Sequence, residues 1–313
     1  MSRPPTFVPP PGVRAYRLAT TRGEFAVLDA TPHAPQEPQT PHAPQAPPKG
    51  TALLIPGFTG SKEDFIALHE PLAAAGYRTV AVDGRGQYET PGPPDDESPY
   101  AQAELAQDVL AQAAALGTPV HLVGHSLGGQ IARAAVLLDL TPFSSLTLMS
   151  SGPARISAPQ QQRVKLLRDA LAVMGMADVW EAIQAMEAPA QTGPGDPGDS
   201  NGPGSGNLDA GLDDRADLRR RWLANSPAQL IATGRQLCTE PDRVAELAAV
   251  PLPMHVLSGA CDDAWPVPLL DDMAVRLQAR RSVVQGAEHS PNTDRPQETA
   301  RALARFWDRC GPT

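Results

Sequence analysis

Gly124-His125-Ser126-Leu127-Gly128, with Gly129 directly after it, constrains this chain more than any other feature. It follows the apolar run Val120-His121-Leu122-Val123 and opens the amphipathic stretch Leu127–Leu138, so it stands where a strand turns sharply into a helix. So tight a turn forces its middle residue into a strained backbone conformation, and small residues two positions either side let strand and helix approach closely. The serine hydroxyl is then held out at the end of the strand, as in a nucleophile elbow. A bare glycine-x-serine-x-glycine arises often by chance; the strand before it and the helix after it give these five residues their meaning.

The same alternation runs through the rest of the chain. Apolar runs at Ala52–Ile55, Thr79–Val82, Ser145–Met149, Met254–Leu257 and Ser282–Gln285 read as strands covered on both faces. Between them lie helix-length stretches at Lys62–Ala75, Ala101–Leu116, Pro268–Arg280 and Pro296–Arg309. Tyr16–Thr20 and Glu24–Asp29, parted by Thr21-Arg22-Gly23, read as a hairpin. Together they predict an α/β fold, a mostly parallel sheet flanked by helices. Residues 153–250 break the rhythm, with helical patterns at Gln160–Met174, Val179–Glu187, Leu212–Leu223 and Asp242–Ala248 and no convincing strand. A helical insertion between two sheet strands reads as a lid over the C-terminal edge of the sheet. The expected organisation is a core in two parts, 12–152 and 251–311, with the lid at 153–250. Two stretches rich in proline or glycine, 31–50 with its repeated Pro-His-Ala-Pro-Gln and 189–211, lack the apolar side chains that offset ordering entropy and are expected to be mobile.

Charge narrows the range of partners. The chain has 26 Lys plus Arg against 35 Asp plus Glu, a formal net charge of −9, which argues against nucleic acid and against anionic membranes. Cys238, Cys261 and Cys310 are too widely spaced for a disulfide framework or a zinc ribbon. No stretch has the length of a membrane span, and the first residues lack the apolar run of a secretory signal, so a cytoplasmic protein is expected.

Taken with Pro56-Gly57-Phe58-Thr59-Gly60, Asp83-Gly84-Arg85-Gly86, Gly259-Ala260-Cys261-Asp262 and Gly286-Ala287-Glu288-His289-Ser290-Pro291, the elbow makes this sequence resemble the α/β-hydrolase fold superfamily. Within it, the look is that of the lid-bearing esterase, lipase and cofactor-free haloperoxidase-like branch. The resemblance implies a catalytic triad in the chain order serine, acid, histidine. Ser126 is the expected nucleophile, and a serine hydroxyl needs a neighbouring base to take its proton. Of the seven histidines, His33 and His42 lie in the proline repeats, His69 on a helix, His121 and His255 within strands, and His125 at the variable elbow position. His289 alone falls in a loop just past a strand, and it is the expected base. Asp262 is favoured as the acid, with Asp263 its rival; Met149-Ser150-Ser151-Gly152-Pro153, where some relatives carry the acid, offers no carboxylate. By resemblance the oxyanion donors are the backbone N–H groups of Leu127 and Phe58, although many family members have His-Gly where this chain has Pro56-Gly57.

Other motifs are read as structural. Gly57-Phe58-Thr59-Gly60-Ser61-Lys62 does not satisfy the phosphate-loop pattern, and Ser61 reads as a helix cap. Asp83-Gly84-Arg85-Gly86 reads as a tight turn whose Asp caps backbone groups, Asp95-Asp96-Glu97 as a solvated loop, and Arg219-Arg220-Arg221 as a solvated lid-helix face. Leu166, Leu167, Leu171, Met174, Met176, Trp180, Ile183 and Met186 point to an apolar pocket, though residues at helical spacing chiefly pack against one another. The expected activity is ester hydrolysis on a small, apolar acyl substrate, with no metal or organic cofactor. The same triad also serves thioester, lactone or carbon–carbon hydrolysis and perhydrolysis, and a non-catalytic scaffold is the rival of another class. Dehalogenase or epoxide-hydrolase chemistry is disfavoured, because those relatives carry a carboxylate where this chain has Ser126.

Overall fold

Five of the six runs expected to be covered on both faces lie side by side and buried. The sixth, Ser282–Gln285, stands at the edge of the sheet, where Val283 and Gln285 are exposed because no strand among the described residues covers that side. The computed structural model describes residues 3–32, 47–117, 119–187 and 208–311, with only the backbone described for 208–214. Eight strands form one sheet: β1 (Val13–Thr20), β2 (Gly23–Ala30), β3 (Gly50–Ile55), β4 (Tyr77–Val82), β5 (Val120–His125), β6 (Phe143–Met149), β7 (Met254–Gly259) and β8 (Arg280–Val284), in the order β1-β2-β4-β3-β5-β6-β7-β8. The first two make an antiparallel hairpin joined antiparallel to β4, with Val27 opposite Val82; every other pairing is parallel. All residues of β3, β5 and β7 are buried, which is why their sequences show no polar alternation.

Two helical layers supply that burial. On one face α1 (Ile66–Ala74) lies beside the C-terminal helix, joining Phe65, Leu68, Leu72, Leu303 and Trp307 into one core. On the other, α2 (Gln102–Ala115), α3 (Leu127–Leu138) and the helix between the last two strands pack through Leu105, Val109, Ile131 and Met273. Between β6 and β7 come α4 (Ala158–Leu171), α5 (Met176–Glu187), α6 (Leu208–Ala224), α7 (Pro227–Thr239) and α8 (Val244–Ala248). Leu171, Val179, Trp180, Trp222 and Leu230 from the first four form a separate apolar cluster, whereas α8 buries Val244 and Leu247 against the sheet domain. Then follow α9 (Val267–Leu277), α10 (Pro291–Asp294) and α11 (Pro296–Trp307). Among the described residues, no helix is long and apolar enough to cross a membrane.

The structure departs from expectation at several boundaries. Lys62–Phe65 is a 3-10 turn ahead of α1, and the Ser61 N–H donates to Asp64 Oδ2 at 3.3 Å to cap it. The third insertion helix, α6, begins at Leu208, inside the stretch expected to be a loop. The whole of α7 was not foreseen. Arg280 opens β8 instead of ending α9, because Gln278 takes a left-handed conformation and stops that helix. Arg221 is fully buried on Asp64 at 2.7 Å: three consecutive arginines wind about the helix and one must face inward. The proline repeats with His33 and His42, and residues 188–207 of the second proline- and glycine-rich stretch, lie outside the described residues.

Candidate active site

Strand β5 ends against α3, and Ser126 takes up the whole turn with φ 54° and ψ −118°, where side-chain-bearing residues are rare. The turn is possible because its neighbours are glycine. A Cβ on Gly128 would strike the carbonyl oxygens of Ile55 and Pro56, and one on Gly124 would strike the backbone of Gly128. The Ser126 N–H donates to Met149 O at 2.9 Å, tying the turn to β6.

Loops after β7 and β8 deliver the other two side chains to the same end of the sheet. His289 Nε2 lies 3.0 Å from Ser126 Oγ, and His289 Nδ1 lies 3.0 Å from Asp262 Oδ1. A carboxylate only accepts, so Nδ1 carries the proton, and Nε2 is left as an acceptor facing the hydroxyl. Asp262 Oδ1 also accepts from the backbone N–H groups of Ala264 at 2.9 Å and Trp265 at 3.1 Å. Burial pushes its carboxyl up, but His289 and these two donors outweigh burial and hold it below the ordinary aspartate value. Asp263 is exposed and meets Gln160 and Arg163 instead.

A Cβ on Gly57 would lie 3.2 Å from His125 Nδ1 and 3.3 Å from Ser126 Cβ, so the loop carrying Phe58 runs close against the elbow. The Phe58 and Leu127 N–H groups have no acceptor among the described residues. The Gly57–Phe58 peptide is fixed from behind: buried Gln87 donates from Nε2 to Gly57 O at 2.8 Å and accepts the Gly84 N–H at 3.0 Å, while the Gly60 N–H also reaches Gly57 O, at 3.2 Å. Because a trans peptide points its C=O and N–H in opposite directions, holding the carbonyl of Gly57 aims the N–H of Phe58. Gln87 thus braces a loop that lacks the family's usual histidine, and nothing in the sequence marks it out.

His125 is the second residue that sequence reasoning passed over. It is 3% exposed, and its Nε2 donates to the backbone carbonyl of His289 at 2.9 Å. Burial, then the neighbouring His289, pushes its pKa down to about 4, so it is neutral with its proton on Nε2. The other described histidines serve packing: His69 bonds Thr79, His121 bonds Ser145, and His255 bonds Ser282. Asp83 accepts from the Lys62 and Glu89 backbone N–H groups and from Lys62 Nζ, in keeping with a turn-capping carboxylate. Among the described residues, the one group of ligating side chains at metal spacing is Asp262, Asp263 and His289. A cation on His289 Nδ1 would displace the proton shared with Asp262 and break the chain to Ser126.

A sequence profile of the alpha/beta hydrolase family matches residues 52–302. A pimeloyl-[acyl-carrier protein] methyl ester esterase of Aeromonas hydrophila subsp. hydrophila is 29% identical over 252 residues, spanning 75% of this chain and 87% of that protein. Among solved structures, an esterase from Thermogutta terrifontis superposes with a TM-score of 0.68 at 19% identity, over 95% of this chain and 99% of that one. A bacterial membrane phospholipase A gives 0.67 at 23% identity, over 96% and 87% respectively. These two similarities reproduce the fold, and the profile extends over most of the sequence, elbow included: the chain belongs to the alpha/beta hydrolase family.

Proposed function

We propose that this protein is a serine hydrolase that cleaves carboxylic esters through an acyl-enzyme. The observation that carries the reading is the pair of 3.0 Å contacts linking Asp262, His289 and Ser126. Ser126 Oγ attacks the ester carbonyl carbon while His289 Nε2 takes its proton. The carbonyl oxygen becomes an oxyanion held by the Phe58 and Leu127 N–H groups, and Asp262 stabilises the imidazolium. His289 then returns the proton to the departing alcohol, leaving an acyl-serine. Water, deprotonated by His289, attacks the acyl carbon, and Ser126 leaves with the proton, releasing a carboxylic acid. The esterase named among the relatives supports an ester over the thioester, lactone and carbon–carbon alternatives.

In this reading the helical insertion is a lid and the acyl group is apolar. Phe58 packs at once against the core of the sheet domain and against the Trp180–Trp222 cluster of the insertion, so the oxyanion loop lies at their junction. Of the apolar insertion residues, Leu171 and Trp180 are spent on packing, whereas Leu166 and Met186 are exposed. Steady-state kinetics on p-nitrophenyl esters of increasing chain length test the reading. Ser126→Ala is expected to lower kcat by roughly 10⁴-fold or more; turnover within a few-fold of the unaltered protein would overturn it.

A further inference from the structure

At the far edge of the sheet, β8 pairs among the described residues with β7 alone, and a groove of about 560 Å³ runs between it and α11. Arg280, Arg295, Arg301 and Arg305 line it, against one carboxylate, Glu298. Arg301 and Arg305 stand one helical turn apart on exposed positions of α11, a like-charge spacing that weakens a helix unless an anion joins them. Among the described residues Arg280, Arg301 and Arg305 make no ion pair; Arg280 Nε is buried without a hydrogen-bond partner, and Arg295 spends its Nε on Gly286 O. The chain has an excess of nine carboxylates, and Arg22, Arg78, Arg85, Arg133 and Arg276 are each paired with one. Arg17, Arg155, Arg168 and Arg309 also make no ion pair among the described residues, but the groove gathers its unpaired guanidinium groups in one cleft. Even Arg281, adjacent in β8, is tied to Asp271 at 2.7 Å. Guarding a sheet edge against self-pairing accounts for a charge on the strand, Arg280, but not for a row of guanidinium groups on the neighbouring helix.

We propose that this groove binds a small phosphate-bearing anion through the guanidinium groups of Arg280, Arg295, Arg301 and Arg305. Planar guanidinium forks match phosphate oxygens in pairs, the groove has the volume of a small-molecule site, and four guanidinium groups to one carboxylate line it beside Val283, Val284 and Ala302. The site is separate from the proposed catalytic centre and stands or falls independently of it.

Calorimetric titration with pyrophosphate at fixed ionic strength tests the proposal, with inorganic phosphate, malonate and an oligo-aspartate peptide titrated alongside. The expected result is saturable binding of pyrophosphate, weaker for phosphate and weaker still for malonate. Arg301→Glu combined with Arg305→Glu should lower the affinity by roughly tenfold or more, with Ser126→Ala leaving it unchanged. Arg301→Gln with Arg305→Gln, which removes charge without reversing it, covers the case in which the first variant does not fold. Ester turnover by either folded variant should match that of the unaltered protein. No saturation, equal affinity in the folded variants, or malonate binding as tightly as pyrophosphate would each overturn the assignment. Tighter binding of the peptide would overturn it in favour of an acidic protein partner.

Discussion

Gln87→Ala isolates the brace behind the oxyanion donor. Gln87 is 5% exposed and bridges Gly57 O at 2.8 Å and Gly84 N at 3.0 Å, so alanine leaves the part-buried Gly84 N–H without that acceptor and Gly57 O with one donor fewer. Complete loss of one oxyanion donor costs about 3–4 kcal/mol. Gln87 does not make that contact; it aims it, and the Gly60 N–H remains on Gly57 O at 3.2 Å. The expected penalty is therefore nearer one ordinary hydrogen bond, about 1.4 kcal/mol, or roughly tenfold in kcat. KM should move little, because the oxyanion exists only after attack has begun. Gln87→Glu should be worse than alanine, since a carboxylate would face the Gly57 carbonyl with no proton to offer. Initial rates with p-nitrophenyl acetate, read beside a thermal melt, provide the assay. A fall in melting temperature with kcat unchanged would show that Gln87 supports the fold alone and would refute the reasoning.

His125→Ala removes the donor to His289 O, and since misplacing a reacting group by about 1 Å can cost 10²-fold, kcat should fall by one to two orders of magnitude; His125→Gln, which keeps an N–H, should recover part of the loss, and equal rates for both would discount the contact. Asp262→Asn should lower kcat by roughly 10⁴-fold by favouring the wrong imidazole tautomer, and Asp263→Asn should not, as paired kinetic measurements would register. Acid should unfold the chain early. Burial lowers His69, His121 and His125 to about 4 and His255 to about 3. An unfolded histidine titrates near 6.5, so the unfolded state takes up protons first and stability is lost as pH falls below that value. Each of these side chains then costs about 1.6 kcal/mol between pH 6.5 and pH 5, together roughly 6 kcal/mol, comparable with the stability of a marginal domain. Urea melts at those two pH values should show a steep drop in midpoint; an unchanged midpoint would contradict these buried neutral histidines.

What the sequence disclosed follows from which signals are local. Strands β3, β5 and β7 are buried throughout, so their apolar runs stand out unaided. The elbow is legible because its glycines are demanded by backbone contact within the motif and with the strand beside it. His289 was reachable by elimination, since position along the chain separates a loop histidine from five of its competitors. Gln87 and His125 act through backbone carbonyls of residues 30 and 164 positions away, and no local pattern encodes such partners. Helix α7 was hidden for a different reason. Its inner face carries Gln229, Thr233 and Gly234, the last because Val164 and Arg168 of α4 pack against its Cα, so the usual apolar stripe is interrupted. Arg221 misled in the same way, for its buried charge is matched by Asp64, far off in sequence.

Reaction with a fluorophosphonate, followed by peptide mass spectrometry, tests the core of this account most directly, because the probe reports an activated serine whatever the natural substrate. The account predicts a single adduct on Ser126, formed far more slowly when His289 is replaced by alanine. An unlabelled protein, or a Ser126 adduct forming equally fast without His289, would contradict it.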